Sequence, residues 1–150
     1  MKPLLVLLLS FAIVLVGIKL TSGQLRWPLA GRIAMACMLL FTAMGHFIFT
    51  YGMTAMIPDF LPFKKEIVLL TGVVEIVFAI GLLIPKLRCH TAWLLLLFFI
   101  LMVPANIKAA VENINYQTGE FTGPGIAYLW FRIPLQMFFI GWVYFTAIRN

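Results

Sequence analysis

The sequence predicts an all-α fold, a polytopic membrane helical bundle. Three observations lead there. The chain is 63% hydrophobic and only 11% charged over 150 residues, whereas a soluble domain is about half apolar and a quarter charged. Its mean hydropathy is +1.07. Its apolar residues gather into five long stretches, approximately 3–20, 32–49, 67–84, 91–109 and 126–148, and a spanning helix needs about 20 such residues to cross about 30 Å of hydrocarbon. Lipid cannot satisfy open backbone groups, and the alternation of barrel strands is absent from the sequence, so helices are the expected form. With most of the chain in these stretches, one membrane domain covering 1–150 is expected.

The first stretch has two readings. Lys2 before an apolar run, with Thr21-Ser22-Gly23 after it, resembles a secretory signal peptide. The run is interrupted only by Ser10, is followed at once by Lys19, and lacks an Ala-x-Ala site. A retained helix is the expectation. Between the second and third stretches, 51–65 (YGMTAMIPDFLPFKK) carries two prolines and three aromatics. It is too broken to span and too apolar for a free loop, so it reads as an interfacial or re-entrant segment with Lys64 and Lys65 at headgroup level. Ile84-Pro85-Lys86-Leu87-Arg88 is a tight turn, and 113–125 (NINYQTGEFTGPG) is an ordinary polar loop punctuated by glycine and proline.

Five helices put the termini on opposite faces. One face carries Lys19, Arg26, Arg32, Lys86, Arg88 and Arg149 without an acid. The N-terminal face carries Lys2, Lys64, Lys65, Lys108 and Arg132 beside Asp59, Glu66, Glu112 and Glu120. Lys and Arg enrichment marks the cytoplasmic side. The expected localisation is therefore the inner (plasma) membrane, multi-pass, with the N-terminus outside and the C-terminus cytoplasmic. This orientation argues against cleavage of the first helix, which would leave a cytoplasmic N-terminus. The net charge of +6 and pI near 9.7 fit contact with anionic inner-leaflet lipid. The lipid bilayer is the expected partner, and no nucleic-acid module is present in the sequence.

Polar residues inside apolar stretches carry the functional signal. Glu75 lies in the middle of the third stretch, where an ionisable group costs roughly 2.5–3.5 kcal/mol on insertion scales and normally faces the bundle interior. His46, Asn106, Arg132 and Gln136 sit in comparable settings, and all five fall in the N-terminal-face half of the bundle. Thr42 and His46 are i,i+4 neighbours, as are Arg132 and Gln136. Gly72 and Ala79 share a face with Glu75 and allow a neighbouring helix to approach closely. Pro104 and Pro134 loosen their helices and free carbonyls toward a cavity. The reading is a ligand pocket formed by His46, Glu75, Asn106, Arg132 and Gln136, with Asp59, Thr42 and Lys108 as secondary candidates. Glu75 and Arg132 are expected to be coupled charge partners, directly or through His46 or water, with His46 able to carry a proton near neutral pH. The competing reading is interhelical glue, since buried charges pair simply because each needs a partner.

Other chemistry finds little footing. Cys37 and Cys89 form no Cys-x-x-Cys pair. His46 and His90 lie near opposite faces, too far apart to share a metal or a haem, so no metal site is expected. No phosphate-binding glycine loop or serine-nucleophile motif occurs, and no catalytic residue can be assigned.

The same residues carry a family resemblance. Arg32-Ile33-Ala34-Met35, Ala43-Met44-Gly45-His46-Phe47, Ile57-Pro58-Asp59-Phe60-Leu61-Pro62, Gly72-Val73-Val74-Glu75, Gly81-Leu82-Leu83-Ile84-Pro85, Pro104-Ala105-Asn106-Ile107 and Arg132-Ile133-Pro134-Leu135-Gln136 occur in order. In these motifs the chain resembles the DoxX-like family of small membrane proteins. The resemblance implies a four-helix membrane core, to which the first helix is an addition. Related proteins include subunits of a thiosulfate:quinone oxidoreductase, redox-associated membrane proteins and a nicotinic-receptor assembly chaperone. It therefore implies either a redox- or quinone-associated protein, quinone being the cofactor suggested, or a non-enzymatic assembly factor for partner membrane proteins. A homo-oligomer is a further expectation, and whether the protein is an enzyme is left open.

Overall fold

The computed structural model describes residues 2–149. The helices run in the order α1 (Lys2–Ser22), α2 (Trp27–Ile48), α3 (Thr50–Met56), α4 (Lys64–Leu83), α5 (Arg88–Leu101), α6 (Val103–Val111) and α7 (Ile126–Val143), and α7 ends in a π-helical turn, Tyr144–Ile148. The chain is 78% helical with no strand among the described residues. Five helical segments are long and apolar enough to cross a membrane: Lys2–Ser22, Trp27–Ile48, Lys64–Leu83, Arg88–Val111 and Ile126–Ile148. A helical bundle consistent with a membrane protein is the result.

Local chemistry explains where the elements begin and end. α2 starts at Trp27 rather than near Arg32, because Pro28 sits in its first turn, where a missing N–H is harmless and φ is already helical. It stops at Phe49, and the Thr50 hydroxyl donates to the His46 carbonyl at 2.7 Å and to the Phe47 carbonyl at 3.0 Å. Those bonds satisfy carbonyls that the helix end leaves open. The stretch 51–65 contains α3 and then an extended Ile57 (φ −69°, ψ 132°), as expected of a residue preceding proline. The predicted fourth segment is two helices. Pro104 occupies the first turn of α6, and the break falls at Met102. Pro134, by contrast, lies inside a continuous α7.

The core forms where small residues let helices close. α2 packs most extensively against α4. A Cβ added to Gly72 would lie 2.9 Å from the Cβ of His46, so the glycine is what brings these two helices together. Leu7, Met35, Met38, Leu39, Leu82, Leu95 and Val143 are fully buried in or beside this seam. Leu7 is the one buried residue of α1, which therefore flanks the bundle and leans chiefly on α2. At the far end, Trp142 donates its indole N–H to the Gly31 carbonyl at 3.0 Å and ties the end of α7 to the start of α2.

Candidate functional site

Two polar groups grow out of this scaffold. The first lies on the α2–α4 seam. Glu75 stands eleven residues into α4, roughly 16 Å along a helix rising 1.5 Å per residue, and it is buried. Its Oε1 is 3.6 Å from His46 Nε2, beyond hydrogen-bond length but within reach of an ion pair. The other ring nitrogen, Nδ1, is 3.1 Å from the Val68 carbonyl and 3.0 Å from the Thr71 hydroxyl. Thr71 in turn donates to Val68 at 2.8 Å. With that donation in place we assign the ring hydrogen to Nδ1, because Val68 can only accept. Nε2 is then the nitrogen that faces Glu75. The second carboxylate oxygen, Oε2, is buried and has no hydrogen-bond partner among the described residues.

The second group joins α6 and α7. Arg132 donates from a terminal guanidinium nitrogen to Asn106 Oδ1. Asn106 Nδ2 donates to Gln136 Oε1 at 3.2 Å. Gln136 Nε2 donates to the carbonyl of Phe99, beside the α5–α6 break. The Tyr128 ring lies under the Arg132 guanidinium, 5.1 Å from its carbon to the ring centroid.

A single cavity of about 480 Å³ connects the two groups, within the range of small-ligand sites. Its walls are mostly apolar, with Met38, Phe41, Phe98, Phe99 and Phe139 among them. His46, Glu75, Asn106, Arg132 and Gln136 all line it, and so does Thr42, whose hydroxyl is spent on the Met38 and Leu39 carbonyls. Lys2, Met44 and Ile48 contribute to the wall and are exposed. A second cavity of about 240 Å³ lies beneath the loop after α6 and shares Met56, Asn106, Tyr116, Tyr128 and Arg132 with the first.

Asp59 and Lys108 do not line the main cavity. They form a clasp outside it. Lys108 Nζ is 2.8 Å from Asp59 Oδ1 and 3.0 Å from the Ile57 carbonyl, and Lys64 reaches the same carboxylate at 2.5 Å. The hydrogen bonds from Lys108 and then Lys64 hold the Asp59 carboxyl down at about 2, against an ordinary 3.8. This clasp fastens the connection between α3 and α4 onto α6. Glu75 and Arg132 each have a different partner: Glu75 faces His46, and no Asp or Glu among the described residues lies within ion-pair distance of Arg132. Thr71 and Tyr128 belong to the site and were missed in the sequence. Each stands one helical turn before a charged residue, Glu75 and Arg132 respectively, and that i,i+4 spacing was the available signal. No group of three metal-ligating side chains occurs among the described residues, and both cysteines are free.

The profile of one family, a domain of unknown function (DUF8561), matches residues 35–147. The chain belongs to that family. The DUF8561 segment contains every polar residue of the two groups and leaves α1 outside. No curated protein matches the chain, and no solved structure does so.

Proposed function

We propose that this DUF8561 protein binds a small amphipathic molecule in the cavity between α2, α4, α6 and α7. The observation that carries the reading is a cavity of about 480 Å³ with mostly apolar walls that has both Glu75 and Arg132 among its lining residues. A glue network packs its interior closed, whereas a ligand site keeps room for the ligand. We place the protein in the inner (plasma) membrane with this cavity in the outer half, on the strength of the acid-free basic face. We also read α2, α4, the broken α5–α6 span and α7 as a DoxX-like four-helix core, on the strength of the ordered motifs.

A quinone is one ligand that suits these residues: a carbonyl could accept from Arg132, and a hydroxyl of the reduced form could donate to Glu75. The rival role, an assembly factor for partner membrane proteins, calls for a filled core and a polar stripe on the lipid-facing side. The cavity favours binding instead, and beyond the polar first turns of α4 and α5 their exposed faces carry Leu70, Val73, Val77, Ile80, Leu94, Leu97 and Leu101. Purification in mild detergent, followed by mass spectrometry of co-purifying small molecules, tests the reading. One amphiphile retained by the native protein and lost from Thr42→Trp, which fills the cavity, is the expected result. Identical small-molecule profiles for the native and filled proteins would overturn it.

A further inference from the structure

We propose that the head group bound in this cavity is an oxyanion, a carboxylate or a phosphate, held by Arg132. The inference rests on the cavity being a binding site, and it narrows what the site selects.

Hydrogen-bond direction is the first argument. Arg132 can only donate and the Phe99 carbonyl can only accept. The row between them therefore has one direction: Gln136 must present its NH₂ to Phe99, its oxygen to Asn106, and Asn106 must present its oxygen to Arg132. Both amide orientations are fixed by the two ends, and both amide oxygens are occupied. A guanidinium has five N–H donors, and the row uses one nitrogen of it. What the α6–α7 group has left over is donors.

Charge is the second argument. Glu75, the one acid on the cavity wall, faces His46. Arg132 has no carboxylate within ion-pair distance among the described residues, and its remaining contact is the face of Tyr128. Lys2 adds a second cation to the wall. Lys2 is exposed at the start of α1, so on the inner wall it is Arg132 whose charge has no acid within ion-pair distance among the described residues. A cation at membrane depth is unfavourable unless balanced, and charge-assisted bonds from guanidinium to a carboxylate or phosphate are strong and bidentate. A neutral carbonyl would accept a hydrogen bond but leave the charge unbalanced. A cationic head would be repelled by Arg132. An oxyanion meets both requirements, with its tail against the phenylalanine and methionine walls.

The test uses the whole chain in lipid nanodiscs at fixed pH, with probes that share one tail. Saturable binding of radiolabelled dodecanoate and, in parallel, of radiolabelled dodecanol is measured, with dodecyl phosphate and dodecyltrimethylammonium as competitors. One dodecanoate per protein, at least tenfold tighter than dodecanol, is expected, together with no competition from the ammonium. The more effective of dodecanoate and dodecyl phosphate then identifies the oxyanion. Arg132→Gln should bring dodecanoate down to the dodecanol level, and Arg132→Lys, which keeps the charge, should retain part of the preference. The head-group series on the native protein is decisive even if Arg132→Gln fails to fold. Equal binding of the two labelled probes, or a preference that survives Arg132→Gln, would overturn the inference while leaving the binding reading intact. Saturable binding of neither labelled probe would overturn both.

Discussion

His46 bridges two helices through its two ring nitrogens: Nδ1 lies 3.1 Å from the Val68 carbonyl and Nε2 lies 3.6 Å from Glu75 Oε1. The ring is thereby clamped on the side of the peptide backbone and presents its other nitrogen to the acid. Across the cavity, Arg132 belongs to a separate row of hydrogen bonds.

This division predicts a pattern of energetic coupling. Glu75→Gln and His46→Gln should each destabilise the protein in detergent, and the double variant should be less damaged than the two losses summed. Neighbouring polar residues typically show interaction energies of about 0.5–3 kcal/mol. The coupling of Glu75 with Arg132, measured in the same way with Arg132→Gln, should be smaller. A Glu75–Arg132 coupling larger than the Glu75–His46 coupling would show that the two groups act as one.

Gly72 should tolerate no side chain. A Cβ there would stand 2.9 Å from the His46 Cβ, closer than real Cβ contacts, and neither atom is the end of a flexible chain. Overpacking of this kind costs about 1–3 kcal/mol. Gly72→Ala should therefore lower thermal stability in detergent by that order, whereas Gly17→Ala, with open space around it, should not. Equal melting temperatures for Gly72→Ala and the native protein would refute the close approach of α2 and α4.

The Asp59 clasp has a defined pH signature. Its carboxyl is held down to about 2 from 3.8, first by Lys108 and then by Lys64. A depressed folded-state value means that the clasp stabilises the fold above about pH 4 and loses this effect as pH falls toward 2. The melting-temperature difference between native protein and Asp59→Asn should be present at pH 6 and shrink through that window. A difference that is constant from pH 6 to pH 2 would show that the carboxylate contributes through something other than its charge.

Topology is accessible to labelling. With Cys37 and Cys89 replaced by serine, a cysteine placed at Glu120 should react with an impermeant thiol reagent from outside intact cells. One placed at Arg149 should react only after permeabilisation. The reverse pattern would invert the orientation proposed from the basic residues.

Much of this arrangement was legible in the sequence, and what was not has a physical reason. Helix length and hydropathy located the helices long and apolar enough to span a membrane, since 1.5 Å per residue against bilayer thickness leaves little freedom. Polar residues within apolar helices are expected to face the bundle interior, and His46, Glu75, Asn106, Arg132 and Gln136 do line one cavity. Their pairing did not follow. Which of His46 and Arg132 faces Glu75 depends on the rotation of α2 and α7 about their axes, and periodicity within one helix says nothing about its neighbour. The clasp was hidden for the same reason, because Lys108 and Asp59 meet across 49 positions of sequence. The break at Met102 was half visible: Pro104 announced a loosened helix, but not that Gln136 would reach the carbonyl of Phe99 beside it.

The close approach at Gly52 bears on how anything reaches the cavity. A Cβ on that glycine would overlap the backbone carbonyl of Tyr116, so α3 and the loop after α6 press together, backbone to backbone, beside the cavity wall. The exposed wall residues are Met44 and Ile48 on α2 together with Lys2, so in a bilayer the apolar flank of α2 would open the cavity toward hydrocarbon. Each methylene gains about 0.8 kcal/mol on leaving water, but a tail moving from lipid into a cavity of phenylalanine and methionine exchanges one apolar surrounding for another. For a site supplied sideways, concentration is a mole fraction within the bilayer, tail length contributes little, and discrimination between one lipid and the next falls almost entirely on the few polar atoms of the head.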